Sequence, residues 1–348
     1  MAHSADTPIA RSARKANDVN VLVTGGAGYI GSHAVRGLQH AGHEVWIVDN
    51  LSRGHRRAAP ADRLIVGGVA DRELVGRVLA ECRIEAVLHF AAFAEVGESV
   101  EHPARYYQNN VAASLSLLES MRAAGVTRIV FSSTTATYGV PTRVPITEDD
   151  EQRPINPYGF SKLVVERALH DYARAYGFAY ATLRYFNAAG ATPAGDIGEH
   201  HEPESRLIPL ALQVALGQRP HITIFGDDFP TPDGTCIRDY IHVDDLADAH
   251  VRALERLEPS RGLRMNLGTG RGHSVREVID ACRRVTGHEI PARIGPRRPG
   301  DPPELVADPR RAHEALGWQP KFITLESIVT TAWNWHRTHP RGFDTPAE

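Results

Sequence analysis

The sequence predicts an α/β protein: a doubly wound parallel sheet followed by a smaller C-terminal α/β region. Three observations carry this. Short apolar runs alternate with helix-like stretches through the first half of the 348 residues, the rhythm of a parallel sheet with crossover helices. Several of the runs lack polar alternation, as strands buried on both faces do. A glycine-rich turn at 25–31 joins the first run to the first helix, where an open sheet of this kind cradles a ligand.

Taken in order, 19–24 reads as the first strand, and the turn leads into a helix over 28–41 that Gly42 stops. Further strands fall at 44–48, 63–66, 86–90, 128–132 and 181–185, with helices at 71–82, 103–124 and 157–176. Gly125 and Gly177 stand just past the last two helices, the C′ position that favours glycine. After about residue 187 the rhythm breaks into loops, short helices and proline-rich turns. The expected organisation is a disordered extension over 1–18, a nucleotide-binding domain over 19–186 and a substrate-binding region over 187–348, parts of which return to the sheet.

Composition narrows the partners. With 42% hydrophobic residues the chain can bury one large core or two linked ones. A net charge of −3, its signs interspersed, leaves no footprint for nucleic acid. The three cysteines, Cys82, Cys236 and Cys282, are widely spaced and suggest neither disulfides nor a zinc site. Eighteen histidines are scattered, and His200-His201 reads as solvated loop, so no metal is expected. No apolar run approaches the ~20 residues that cross a bilayer. Residues 1–18 lack the apolar core of a signal peptide. A reduced, cytoplasmic protein is the expectation.

Glycines at 25, 28 and 31 let the chain turn sharply, approach a pyrophosphate and pack helix on strand. Their spacing differs by one residue from the commoner fingerprint. Asp49 ends the next strand, eighteen residues after Gly31. A carboxylate there suits ribose hydroxyls and repels a 2′-phosphate, so NAD is expected rather than NADP. Arg53, Arg56 and Arg57 read as a solvated basic loop.

Tyr158 and Lys162 lie four residues apart in a helix opened by Asn156-Pro157, so they share a face. A tyrosine with its pKa near ~10 is a poor base. A neighbouring ammonium and a cationic nicotinamide are expected to lower it toward the working range. The hydroxyl-rich stretch 131–139 ends a strand where an open sheet binds its ligand. A hydroxyl there can bond a substrate oxygen, or, for Ser132 and Ser133, cap the next loop.

These residues resemble the extended short-chain dehydrogenases/reductases, and among them the UDP-sugar 4-epimerases. The likeness covers about 19–340: TGGAGYIGSH at 24–33, HFAA at 89–92, VGES at 96–99, YGFSK at 158–162, LRYFNAAGA at 183–191, IFG at 224–226, DGTCIRDYIHVDDLADAH at 233–250, NLGTG at 266–270 and RRPGD at 297–301. It implies a Rossmann-type domain and an isomerase that interconverts UDP-glucose and UDP-galactose through a 4-keto sugar on a retained NAD. Tyr158 would be the acid/base, Lys162 its modulator and Thr134 the hydroxyl partner. NAD contacts would come from Gly25, Gly28, Tyr29, Ile30, Gly31, Asp49, Asn50, Phe90, Ala91, Ala92, Asn109, Ser132 and Tyr185, besides Tyr158 and Lys162. Those to the UDP-sugar would come from Thr134, Asn187, Arg206, Leu207, Phe225, Arg238, Arg298, Asp301 and Leu305.

Three positions depart from the pattern: Val69 for an adenine-contacting aspartate, Ala94 for a lysine, and Arg206 for an asparagine at the diphosphate. Relatives pair through two helices per subunit, so a homodimer through 103–124 and 157–176 is implied. UDP-xylose/UDP-arabinose stays open as the sugar pair. A nucleotide-sugar 4,6-dehydratase would carry Asp-Glu after the threonine, where Thr135-Ala136 stands. A catalytically inactive NAD-binding regulator would have no need of Tyr158, Lys162 and Thr134 together.

Overall fold

The computed structural model describes residues 19–298 and 300–344; the expected extension at 1–18 lies outside them. Six strands come first: β1 Asn20–Thr24, β2 Glu44–Asp49, β3 Leu64–Val66, β4 Ala86–His89, β5 Arg128–Thr134 and β6 Ala179–Tyr185. Short strands follow at β7 Asn187–Ala189, β8 Ile222–Phe225 and β9 Ile237–His242, then β10 Gly262–Leu267, β11 Gly272–Ser274, β12 Ala292–Gly295 and β13 Glu304–Leu305. The main sheet has the order β10-β6-β5-β4-β1-β2-β3, with every neighbouring pair parallel.

Helices α1 Tyr29–Ala41, α2 Arg72–Glu81, α3 Val96–Glu101, α4 Pro103–Tyr106, α5 Ala113–Ala123 and α6 Pro157–Tyr176 belong to the first half. The second half adds α7 Leu207–Ala215, α8 Val243–Glu255, α9 Val275–Thr286, α10 Arg310–Leu316 and α11 Leu325–Thr338. None of them, among the described residues, is long and apolar enough to cross a membrane.

Burial on both faces explains why the strands carry unbroken apolar runs. Val21 and Val23 of β1 join Val35 and Leu38 of α1 with Leu246 and Leu254 of α8 in one core layer. Leu22, between them, points into the opposite layer with Val75 of α2, Leu117 of α5 and Leu169 of α6. A third core, from Leu212, Ile224, Tyr240, Ile279 and Val329, holds the smaller region together.

The predicted helix over 103–124 is in fact interrupted. A π turn, Tyr107–Ala112, separates α4 from α5, an inserted residue of the kind found beside functional sites. It turns Asn110 inward, where its amide receives the Phe93 N–H at 2.9 Å and donates to the Phe93 carbonyl at 3.0 Å and to Ser161 Oγ at 3.1 Å. That clamp fixes the segment after β4 against α6.

Candidate active site

The cofactor cradle lies between β1 and β4, where the strand order reverses, the place an open α/β sheet offers a ligand. Gly28 caps α1 without a side-chain bond, so the first-turn N–H groups face a prospective anion. Gly31 must lack a side chain: a Cβ there would stand 2.1 Å from the Gly25 carbonyl oxygen. Around the turn, Phe90 and Ala91 both donate to the Thr24 carbonyl, at 2.9 and 3.1 Å. Phe90 also packs on His250, and Tyr29 anchors α1 by donating to the Gly190 carbonyl at 2.7 Å.

Asp49 ends β2 as expected. Its carboxylate accepts from Ala27 N at 3.0 Å and Leu51 N at 2.8 Å. Burial pushes its pKa up, against those two bonds and the nearby His55. Asn50 accepts from Ser52 N, which leaves its amide group for the cradle. The residues thus fit an unphosphorylated dinucleotide: a glycine turn, free helix N–H groups and a carboxylate at the second strand.

Of the arginines after Asp49, Arg56 is exposed as expected, but Arg53 and Arg57 are held by other segments. Arg53 pairs with Glu98 at 3.0 Å and donates to the Glu202 carbonyl, and Arg57 donates to the Phe343 carbonyl. They tie the cradle to distant segments, and spacing alone carried no sign of those partners. Asp71 is likewise occupied: it caps α2 by accepting from Leu74 N, while Val69 is buried in the core.

The catalytic candidates meet at the carboxyl ends of β5 and β6. Asn156 accepts from Gly159 N at 2.8 Å and Pro157 opens α6, so Tyr158 stands on the first turn. Gly159 permits the approach of the next loop, since a Cβ would lie 2.4 Å from the Ala136 carbonyl oxygen. Tyr158 is buried, and the Thr134 side chain beside it draws its pKa down. Lys162 Nζ donates to the Ser132 carbonyl at 2.8 Å, and the Ser132 hydroxyl bonds Tyr185 OH.

One electrostatic expectation needs correction. Burial pushes the Tyr158 phenol above its ordinary value, opposed by Thr134 and by the charge of Arg206. Lys162 is itself pushed down by burial to about 7, against the pull of Glu166. Thr134 and Arg206 therefore favour the phenolate.

Arg206 caps the start of α7 and sits in a nest of acids. Its guanidinium lies 2.9 Å from Glu199, 3.4 Å from Glu95 and 3.1 Å from His201 Nε2. Burial works against its charge, but Glu199, Glu95 and Glu204 hold it firmly cationic. His201 is not solvated loop: although burial and Arg206 oppose it, bonds to Glu199 and Glu204 hold its pKa up. Glu199, His201 and Glu204 converge closely enough for a metal, yet Arg206 already supplies the cation.

The expected sugar-nucleotide residues also gather. Asp301 bridges two arginines, 3.0 Å from Arg298 Nε and 3.6 Å from Arg238. Arg298 lies 5.1 Å over the half-exposed Phe225 ring. Leu305 of β13 pairs with Arg238 and packs beside Tyr138 and Phe186. Asn187 opens β7 opposite Tyr240, and Leu207 is the first residue of α7, next to Arg206. Asn109 bonds its neighbour Asn110, and Ile30 and Ala92 flank the cradle half-buried.

Comparison with known proteins agrees with this geometry. Residues 21–268 match the NAD dependent epimerase/dehydratase family. A UDP-glucose 4-epimerase of Halalkalibacterium halodurans is 53% identical over 326 residues, 93% of this chain and 98% of that protein. Another, of Corynebacterium glutamicum, is 54% identical over 316 residues, 90% and 95% of the two chains. A Bifidobacterium longum UDP-glucose 4-epimerase solved with NAD+ and UDP is 40% identical, with a TM-score of 0.89 over 93% of this chain and 100% of its own. With its cradle, its Tyr158–Lys162 pair and these likenesses, the chain belongs to the NAD dependent epimerase/dehydratase family.

Proposed function

We propose that this chain is a UDP-sugar 4-epimerase that interconverts UDP-glucose and UDP-galactose, an NAD-dependent isomerase. The observation that carries the reading is the seating of Tyr158 against Thr134 at the open ends of β5 and β6, with Lys162 one helical turn away. NAD, when bound, would supply the hydride acceptor for sugar C4 and the donor that restores it with inverted configuration. Tyr158 removes the 4-hydroxyl proton and gives it back, and Thr134 bonds the same oxygen and relays that proton. Gly25, Gly28 and Gly31 with Asp49 and Asn50 hold the dinucleotide; Phe90, Ala91, Ser132 and Tyr185 line its nicotinamide side.

The 4-keto sugar must turn over while the nucleotide stays fixed. Arg238 and Arg298, oriented by Asp301, suit bidentate capture of a diphosphate. Phe225 offers its face to the uracil, and Asn187 and Leu207 close the other side. Binding energy spent on UDP keeps the ketone in place. A dehydratase would need an acid and a base after Thr134, and Thr135-Ala136 supplies neither. A cytoplasmic homodimer through 103–124 and α6 completes the reading; Tyr107 and Phe160 are exposed apolar residues there.

The test is an NMR time course with UDP-galactose and UDP-arabinose offered in parallel. Conversion of UDP-galactose to UDP-glucose is expected. Turnover of the pentose alone would move the assignment to UDP-xylose/UDP-arabinose, and turnover of neither would overturn it.

A further inference from the structure

Three consecutive residues of β5 face one helix. The Ser132 carbonyl accepts from Lys162, the Thr134 side chain acts on Tyr158, and between them the Ser133 hydroxyl donates to Glu166 Oε1. Glu166 lies one turn beyond Lys162 on the same face of α6. Its carboxylate is buried and also receives Gln152 Nε2 at 3.1 Å, Arg184 Nε at 3.0 Å and Arg184 Nη2 at 2.6 Å. Arg184 continues to Tyr138 OH at 2.8 Å, and Tyr138 to Asn266 Oδ1 at 2.7 Å. The chain of bonds thus runs from α6 across β6 to β10.

A buried ion pair is a poor way to gain stability, because desolvating both charges offsets most of their attraction. Its placement one turn from the catalytic pair has another use. We propose that Glu166 is a positioning residue of the active site: it fixes the end of β5 through Ser133 and keeps Lys162 in its ammonium form, so that Tyr158 meets Thr134 beside a positive charge.

Charge and shape support this together. Lys162 sits among groups without a formal charge: the Phe131 ring and Ser132 carbonyl of β5, whose partial charges favour its ammonium, His89 of β4, held neutral by burial and by Lys162 itself, and Tyr185 of β6 on the other side of Ser132. Tyr158 faces it from its own helix as a neutral phenol. Glu166 is the anion that acts on it, and Arg184 of β6 binds that same carboxylate. Removing either partner of the pair is structurally damaging, yet the two removals change the field at Lys162 in opposite senses. Without Glu166, an unmatched Arg184 repels the ammonium; without Arg184, an unmatched Glu166 attracts it.

The inference rests on the epimerase reading, but its test does not require turnover. The sequence holds three lysines, Lys15, Lys162 and Lys321, so lysine labelled with 13C at Cε gives three resonances to titrate. Glu166→Gln should move the Lys162 midpoint down by about one pH unit and Arg184→Met should move it up by about as much. The alkaline limb of the kcat profile should follow each shift. Midpoints that stay put, or that move in the same direction, overturn the proposal. If neither variant folds, Ser133→Ala decides it: kcat should fall about fivefold or more with KM unchanged, and an unchanged kcat refutes the tether. A parent enzyme that converts no UDP-galactose while the two midpoints still diverge would sink the epimerase reading and leave the role of Glu166 standing.

Discussion

Adding one methyl group at Gly31 should unbuild the cofactor cradle. The Cβ of Gly31→Ala would lie 2.1 Å from the Gly25 carbonyl oxygen, 2.9 Å from its carbon and 3.0 Å from Gly26 Cα. Carbon and oxygen settle at about 3.3–3.6 Å, so the turn would have to open by about 1.2 Å or more. All three obstacles are backbone, and no side chain can swing aside. Overpacking of this kind costs about 1–3 kcal/mol, which for a chain of this size lowers Tm by about 1–4 °C. Gly28→Ala is the control: its Cβ meets the same oxygen at 3.3 Å, so the fold should hold while the methyl intrudes on the pyrophosphate. NAD released by denaturation is read by mass spectrometry beside a melting curve. The parent should carry NAD without any being added, Gly28→Ala should lose NAD at nearly full stability, and Gly31→Ala should lose both. A Gly31→Ala protein with parental Tm and NAD content would refute the close approach, and NADP in the parent would refute the role of Asp49.

Other outcomes test the chemistry. Tyr158→Phe should lower kcat about 10²-fold or more with UDP affinity nearly intact, and Thr134→Ala should cost less; unchanged turnover of Tyr158→Phe would remove it from the mechanism. Lys162 is held at about 7 by burial, below the ordinary 10.5, so the unfolded chain binds this proton more tightly than the folded one. Stability from this group therefore rises as pH climbs from about 7 to 10.5. Lys162→Met should abolish that increment and raise the Tm at pH 7 while destroying activity; a parental slope in paired denaturation curves would contradict the buried ammonium. We propose that Leu305 limits bulk on sugar C2, so Leu305→Ser should improve kcat/KM for UDP-N-acetylglucosamine by roughly 5- to 200-fold. Leu305→Tyr should abolish that activity and spare UDP-galactose, whereas a fixed ratio in both variants would place Leu305 outside the pocket.

The six leading strands and the Tyr158–Lys162 pair were legible because both are periodic, local signals: apolar runs, a helix cap, a spacing of four. The π turn at Tyr107–Ala112 was not, since one inserted residue leaves the apolar pattern of a helix nearly intact. Arg206 could be singled out as a departure, but its partner Glu95 lies 111 residues away, and Glu199, seven residues away, reaches it across an irregular loop. The same holds for Arg53 and Arg57, whose acceptors lie 149 and 286 residues away. Glu166 was within reach, one turn past Lys162. What hid it was Arg184, a single charge within an otherwise uncharged strand whose partner the sequence does not show.

The return of β10 to the edge of the main sheet, and of α8 to cover α1, bears on how the chain is born. During synthesis the glycine turn, α1 and Asp49 are all in place once Asn50 has been made, yet one face of that helix stays bare until residue 255. The edge of β6 likewise waits for residue 267. A ribosome delivering about 5–20 residues per second leaves that apolar surface uncovered for roughly 10–40 seconds. Over that interval the half-made protein is a natural client for a chaperone, and a nonsense mutation anywhere between 187 and 243 should yield an aggregate instead of a free-standing nucleotide-binding domain.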